Sequence, residues 1–284
     1  MRYLLTGGEG FVGRHVANAL ISHGHDVVLA TRRDVPDENR PYELLHLDIS
    51  RSDQDIYNIA GKPDVVIDMA WEDGFNHGSD KHLKNANDHI VFIENLLKGG
   101  LKHLVGLGTS HEIGFHVGAV MESTPTFPMH NYGVAKDHLR RVQQLLCMKY
   151  GAVNQWLRCF YITGEDHLNN SIFTKILSAA SEGKAFFPLN SGELLFDFID
   201  VRELGAMIAS ISTQTAVSGI INCCSGEPTS LKTMVSRFVE ENNLPIELRF
   251  GEFPLRPYDS RAIWGDVSKR DLALAAALKP AGTP

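Results

Sequence analysis

Residues 2–16, RYLLTGGEGFVGRHV, constrain the fold of this chain more than any other stretch. An apolar run with strand character over residues 2–6 leads into Gly7, Gly8, Gly10 and Gly13, and a helical apolar pattern follows through Phe11, Val12, Val16, Ala19 and Leu20. Strand, glycine turn and helix in that order form the context in which a GGxGxxG spacing carries meaning. Glycines let the backbone turn tightly and let a pyrophosphate approach, while the helix start offers free N–H groups and the positive end of a dipole. The stretch therefore predicts a dinucleotide site with Gly7, Gly10 and Gly13 at the pyrophosphate and Phe11 and Val12 also at the cofactor; the competing reading is a purely structural turn.

At 284 residues the chain can form one large domain, or a domain with a lobe. A net charge of −7 without a long basic cluster argues against nucleic acid as a partner. No apolar run approaches the ~18 residues of a membrane span, so no membrane partner is expected. Met1 leads straight into the first strand, so no signal peptide is expected ahead of it. The four cysteines, Cys147, Cys159, Cys223 and Cys224, lack CxxC spacing and read as buried thiols of a cytoplasmic protein. Thirteen histidines are scattered without metal-ligand spacing; no metal site is expected, and most are assigned to the surface.

Strands are expected over residues 27–31, 43–47, 63–70, 103–107 and 153–160, alternating with helices over 52–60, 81–98 and 132–150, with an irregular stretch from 108 to 131. The nearly continuous apolar run PDVVIDMA suits a parallel strand covered on both faces. The alternation predicts an α/β fold: a doubly wound parallel (Rossmann) sheet with a smaller mixed C-terminal substrate lobe. Residues 1–164 are assigned to the dinucleotide-binding domain, with 194–222 returning to it, and 165–193 with 223–284 to the lobe. The second strand ends in Thr31-Arg32-Arg33. With no acid at Ala30 or Thr31 to hold a free ribose, Arg32 and Arg33 favour NADP(H), and NAD(H) remains possible. The bland reading of the two arginines is solvated loop charge.

Tyr132-Gly133-Val134-Ala135-Lys136 places a tyrosine and a lysine on one helix face. A phenol of ordinary pKa about 10 exchanges a proton near neutrality only with help, which a nearby ammonium or an oxidised nicotinamide supplies. Behind a glycine turn this pairing predicts a proton-donor Tyr132 with Lys136 tuning it and holding the cofactor ribose.

With these motifs the chain resembles the extended, nucleotide-sugar branch of the short-chain dehydrogenase/reductase superfamily over nearly its whole length. The resemblance rests on TGGEGFVG, Asp48-Ile49, Tyr132 with Lys136, LRCFYITGED (157–166), LFDFIDVRELG (195–205) and LRPYDSRAIWGDVSKRDLAL (255–274). It implies a hydroxyl residue at the fifth strand's exit, which counting back from Gly114 assigns to Thr109; the bland reading of Thr109 is a loop cap. It also implies Asp48 and Ile49 at the adenine, Ala70 along the cofactor, Arg256 on a substrate diphosphate, and pairing of helices 81–98 and 132–150 into a homodimer. Trp71, Ser110 and Tyr161 complete the expected substrate-binding set.

Departures narrow the chemistry that the resemblance implies. Sugar 4,6-dehydratases carry Asp-Glu after the Thr, where this chain has Ser110 and His111, with Glu112 displaced. Epimerases usually show an Asn where Tyr161 stands and a diphosphate-gripping Arg where Phe196 stands. The remaining similarity is to nucleotide-sugar 4-ketoreductases such as the deoxytalose dehydrogenases, carried by GTSHEIG, YGVAKDHLR and RCFYITGE. The expected activity is NAD(P)H-dependent reduction of a nucleotide-linked keto-sugar at C4. The alternatives are an epimerase with tightly held NAD and a non-catalytic cofactor sensor on the same fold.

Overall fold

The structure, a computed structural model, describes residues 1–33, 40–52, 54–164, 169–256 and 258–279. Glu165, Asp166 and Pro257, which belong to the motif stretches above, lie outside the described residues. The first half of the chain runs β1 (Arg2–Thr6), α1 (Gly13–Ser22), β2 (Asp26–Thr31), β3 (Glu43–His46), α2 (Ile56–Ile59), β4 (Val65–Asp68), α3 (Lys81–Gly99) and β5 (His103–Thr109). It continues through β6 (Val117–Val120), α4 (Asn131–Tyr150), β7 (Val153–Cys159), β8 (Tyr161–Thr163), α5 (Ile172–Ser181), β9 (Phe186–Pro188) and β10 (Leu195–Asp200). It ends with α6 (Val201–Ile211), β11 (Gly219–Cys223), β12 (Pro228–Ser230), α7 (Leu231–Glu241), β13 (Glu247–Arg249), β14 (Ala262–Gly265) and α8 (Ser268–Ala277).

Among the described residues seven parallel strands form the main sheet in the order β11-β7-β5-β4-β1-β2-β3. The chain moves outward from β1 to β3 and then returns to the other side of β1 with β4, so the strand order reverses between β1 and β4. That reversal opens a crevice at the strands' C-terminal ends, where open α/β sheets bind ligands. Each face of the sheet is covered: α1, α6 and α8 pack on one side and α2, α3 and α4 on the other. Tyr3, Leu5 and Ile67 point into one apolar cluster while Leu4 and Val66 point into the other, the alternation that a doubly covered strand requires.

A smaller sheet, β12-β10-β14-β6 with β8 paired to β10, lies beyond the ends of the large one. It corrects the sequence reading in three places. Residues 117–120 form β6, because VGAV pairs in parallel with Ala262–Gly265; four residues carry too little periodicity to show this in the sequence. The strand expected over 153–160 breaks at the buried Phe160, and Tyr161–Thr163 turns away to pair with Phe198–Asp200. Thus β10 joins the smaller sheet, whereas α6 and β11 return to the large one. The helix expected over 52–60 is confined to the single turn of α2. The four cysteines are buried and unpaired. Among the described residues no helix is long and apolar enough to cross a membrane.

Candidate active site

A cleft of about 1490 Å³ runs between the C-terminal ends of the large sheet and the smaller sheet. Gly7, Gly10, Phe11, Val12, Gly13, Arg32, Arg33, Asp48, Ile49, Ala70, Trp71, Thr109, Tyr132, Lys136, Tyr161 and Arg256 all line it. Of the residues singled out from the sequence, Ser110 does not. Thr109 caps a 3-10 turn, Ser110–Glu112, which directs Thr109 and His111 to the cleft and Ser110 into a small pocket behind it with Met129 and Ser260.

The glycine turn is tightly packed. Gly7 has φ +66°, and a Cβ there would meet Ala70 backbone at 2.9 Å, so β1 and β4 can converge only with glycine at this point. A Cβ on Gly13 would sit 2.1 Å from the Gly7 carbonyl oxygen, so α1 starts flush against the turn. The N-cap residue Val12 supplies no side-chain cap, and no acid stands in the helix's first turn. The N–H groups of Phe11, Val12 and Gly13 meet no acceptor among the described residues. Three unsatisfied donors at the positive end of a helix are an arrangement that can hold an anion.

At the far end of the cleft, Thr31 Oγ1 donates to Glu9 Oε2 at 2.7 Å, which brings a carboxylate from the glycine turn to the end of β2. This acid comes from outside β2, where the sequence shows none at Ala30 or Thr31. Arg32 reaches across to Glu72 at 2.6 Å with both groups largely exposed. Asp48 accepts hydrogen bonds from Ser50 N and Oγ at 3.0 and 2.9 Å, and the Ser50 contact holds its carboxyl below the usual range.

Burial pushes the Tyr132 phenol well above its ordinary value, opposed by a hydrogen bond to the Thr109 side chain. The tyrosine therefore keeps its proton near neutral pH. Lys136 is buried, and burial pushes it down to about 8 against the pull of Asp68 and Glu112. Its Nζ donates to the Leu107 carbonyl at 2.9 Å and lies 3.9 Å from the centre of the Trp71 ring. The ammonium expected to tune Tyr132 is thus held by a carbonyl and an aromatic face, and the groups that shift Tyr132 are its burial, Thr109, Cys159 and Glu112. Trp71 is itself fixed: its Nε1 donates to His82 Nδ1 at 3.0 Å, and its ring stacks on His89 at 5.3 Å. His89 Nδ1 pairs with buried Asp68 at 2.6 Å; burial raises the Asp68 carboxyl, and His89 and Thr6 more than offset this, so it lies below the usual range.

Glu112 is fully buried and takes no part in the cleft wall. It accepts from Thr109 N–H at 2.8 Å, Trp156 Nε1 at 3.0 Å and Arg158 Nε at 3.3 Å. The displaced acid of the GTSHEIG stretch is therefore a structural anchor under Thr109. On the side of the smaller sheet, Tyr161 stacks on Phe196 with ring centroids 4.1 Å apart. The two departures from the epimerase pattern thus pack against each other as one aromatic wall.

The histidines are where sequence reasoning missed most. His82, His89 and His103 are buried rather than superficial. His77, His111 and His130, separated in the chain, bring ring nitrogens within 4.8 Å of one another, a grouping that can hold a metal ion. Their spacing gives no signal, because loop, strand exit and helix cap meet only in three dimensions. Burial lowers all three: His77 to about 4, His111 well below its ordinary value, His130 to a lesser degree, with the Arg256 charge adding to each.

The sequence profile of the NAD dependent epimerase/dehydratase family matches residues 3–224. A dTDP-6-deoxy-L-talose 4-dehydrogenase (NAD(+)) of Aggregatibacter actinomycetemcomitans is 40% identical over 275 residues, covering 93% of this chain and 99% of its own. A dTDP-6-deoxy-L-talose 4-dehydrogenase (NAD(P)(+)) of Kitasatospora kifunensis is 26% identical, covering 87% of this chain and 81% of its own. The structure of UDP-glucuronic acid 4-epimerase from Bacillus cereus, in complex with UDP-glucuronic acid and NAD, superposes with a TM-score of 0.82 at 21% identity over 100% of this chain and 95% of that one.

Proposed function

The chain belongs to the NAD dependent epimerase/dehydratase family, enzymes of the extended short-chain dehydrogenase/reductase type, and from that premise we propose that it reduces a nucleotide-linked 4-keto-6-deoxysugar at C4, with Tyr132 as proton donor. The name of the Aggregatibacter relative supports a dTDP-linked deoxysugar as substrate. The observation that carries reduction over epimerisation is the Tyr161–Phe196 stack. An epimerase must let its keto-sugar turn over between two hydride transfers, and two stacked rings on that wall narrow the room for the rotation. Epimerisation with retained NAD is the second reading, since the Tyr132–Lys136 arrangement serves it equally.

In this account the N–H groups of Phe11, Val12 and Gly13 hold the pyrophosphate, Lys136 the nicotinamide ribose, Asp48 and Ile49 the adenine, and Ala70 the cofactor's flank. The nicotinamide, when bound, supplies the hydride. Thr109 and Tyr132 hydrogen-bond the carbonyl oxygen, and Tyr132 gives its proton to the nascent alkoxide. Trp71 and Tyr161 border the sugar, and Arg256 takes the diphosphate. The large sheet carries the cofactor half of the cleft and the smaller sheet the substrate half. Deuterium from C4-labelled NAD(P)H is expected at sugar C4 of the product by NMR; label elsewhere, or none, contradicts the reading.

Cofactor choice rests on two opposed charges. Arg32 and Arg33 favour the 2′-phosphate of NADP(H), whereas the Glu9 carboxylate at Thr31 repels it and suits the free ribose of NAD(H). Glu9→Gln is expected to raise the ratio of kcat/KM for NADPH over NADH by about tenfold, the effect of roughly 1.4 kcal/mol of relieved repulsion. An unchanged ratio would remove Glu9 from the cofactor site.

The helices α3 and α4 expose Leu83, Val91, Val134, Leu145 and Met148 on the outside of their packed pair. This apolar stripe supports a homodimer through a four-helix bundle. Leu145→Glu is expected to shift the mass seen by light scattering from dimer to monomer; a wild-type monomer would contradict the proposal. Buried unpaired thiols support a cytoplasmic location.

A further inference from the structure

Three separate contacts bring histidines to the start of α4. Tyr132 N–H donates to the His77 carbonyl at 3.0 Å. Gly133 lies so close to His111 that a Cβ there would be 2.5 Å from the His111 carbonyl oxygen. His130 is the N-cap residue, and its Nδ1 accepts from Gly133 N–H at 3.2 Å.

The cap decides where protons sit. A backbone N–H can only donate, so His130 Nδ1 must be the acceptor, and a neutral His130 carries its proton on Nε2. His130 Nε2 lies 3.3 Å from His111 Nδ1. The Nε2–H therefore donates to His111 Nδ1, and a neutral His111 carries its own proton on Nε2. That nitrogen has no hydrogen-bond partner among the described residues, while the His111 side chain lines the cleft with its ring centroid 6.0 Å from that of Tyr132 and 6.2 Å from that of Tyr161. The positive end of α4, the neighbouring Arg256 and burial all oppose a charged imidazole here.

We propose that His111 is a substrate-contacting residue whose Nε2–H, fixed in place by the chain Gly133 N–H to His130 to His111, donates to a sugar oxygen adjacent to the reacting carbon, and that His130 is the positioning residue that sets this tautomer. The substrate half rests on the reading of the cleft as a keto-sugar site; the tautomer half does not. A neutral donor two residues beyond Thr109 selects an acceptor oxygen beside the carbonyl, and it cannot take the proton that a carboxylate at this place would remove. A metal held by the three rings is the competing use of the cluster. It would need the Nε2 lone pair of His130, which moves the proton to Nδ1 and sets it against Gly133 N–H, breaking the cap.

Two measurements test this. Long-range ¹H–¹⁵N spectra of histidine-labelled protein, without substrate, are expected to show His130 and His111 both protonated at Nε2. In His130→Asn, which keeps a capping acceptor for Gly133 N–H, His111 is expected to become a tautomer mixture while the melting temperature is held. Protonation of either wild-type ring at Nδ1 overturns the tautomer assignment. So does stoichiometric Zn²⁺ uptake in calorimetry that is lost in both His77→Ala and His130→Asn. In NAD(P)H oxidation with a dTDP-linked 4-keto-6-deoxysugar, His111→Ala is expected to lose about tenfold or more in kcat/KM, with His111→Gln recovering most of it and His130→Asn falling between. Wild-type kcat/KM in His111→Ala overturns the substrate contact. If the wild type turns over no keto-sugar, the reaction reading and the substrate contact fall together, and the tautomer lock is judged by the spectra alone.

Discussion

Tyr132→Phe is expected to lower kcat by about 10³-fold, within the 10²–10⁴-fold range for loss of a positioned general acid. The substitution removes one oxygen and leaves the ring, so its contacts with His77 and Trp71 persist. Burial holds this phenol in its protonated form, and Thr109 is hydrogen-bonded to it. A protonated phenol beside a carbonyl is suited to giving its proton as the alkoxide forms. Cofactor affinity, carried by the glycine turn and Lys136, is expected to change by less than about twofold, because no hydrogen bond of the turn involves Tyr132. Steady-state rates and a fluorescence titration with NADH separate the two effects. Turnover near the wild-type value would remove Tyr132 from the proton step.

Glu112→Gln is expected to be the most damaging change outside the cleft, with a loss of about 3–5 kcal/mol in urea unfolding. Glu112 and Arg158 have fully buried side chains 3.3 Å apart, and Arg140 approaches the same carboxylate at 3.8 Å. Glutamine keeps an acceptor for Thr109 N–H and Trp156 but leaves the Arg158 charge buried without its counter-ion. Among the described residues Arg158 Nη2 already lacks a partner, so little nearby can compensate. Against a typical margin of about 5–15 kcal/mol this threatens folding itself. A loss under about 1 kcal/mol would mean that the pair is not the anchor described. The same residue explains why dehydration is not proposed: the acid that follows Thr109 in this chain points into the sheet.

Most of the large sheet was legible in the sequence because its signals are local. The turn at Gly7–Gly13 and the apolar run over 63–70 each report their own conformation, and α3 and α4 are long enough for their period to show. The smaller sheet was not, because β6, β8 and β12 are three or four residues long and exist only through pairing with distant partners. The site divides in the same way. Tyr132 and Lys136 stand one helical turn apart on one face, so they could be named from the chain, whereas Thr109 was named through the family resemblance. Glu9 reaches Thr31 from another turn, and the His77–His111–His130 cluster assembles from three segments. Ser110 was misplaced for a local reason: a 3-10 turn begins there and carries it behind the cleft wall.

Net hydride consumption separates a reductase from an epimerase. Purified protein given NADH, and in parallel NADPH, with a dTDP-linked 4-keto-6-deoxysugar should oxidise the cofactor stoichiometrically with sugar reduced, as followed by nicotinamide absorbance. No net oxidation, together with interconversion of nucleotide hexoses by protein that retains its NAD, would contradict reduction and establish the epimerase.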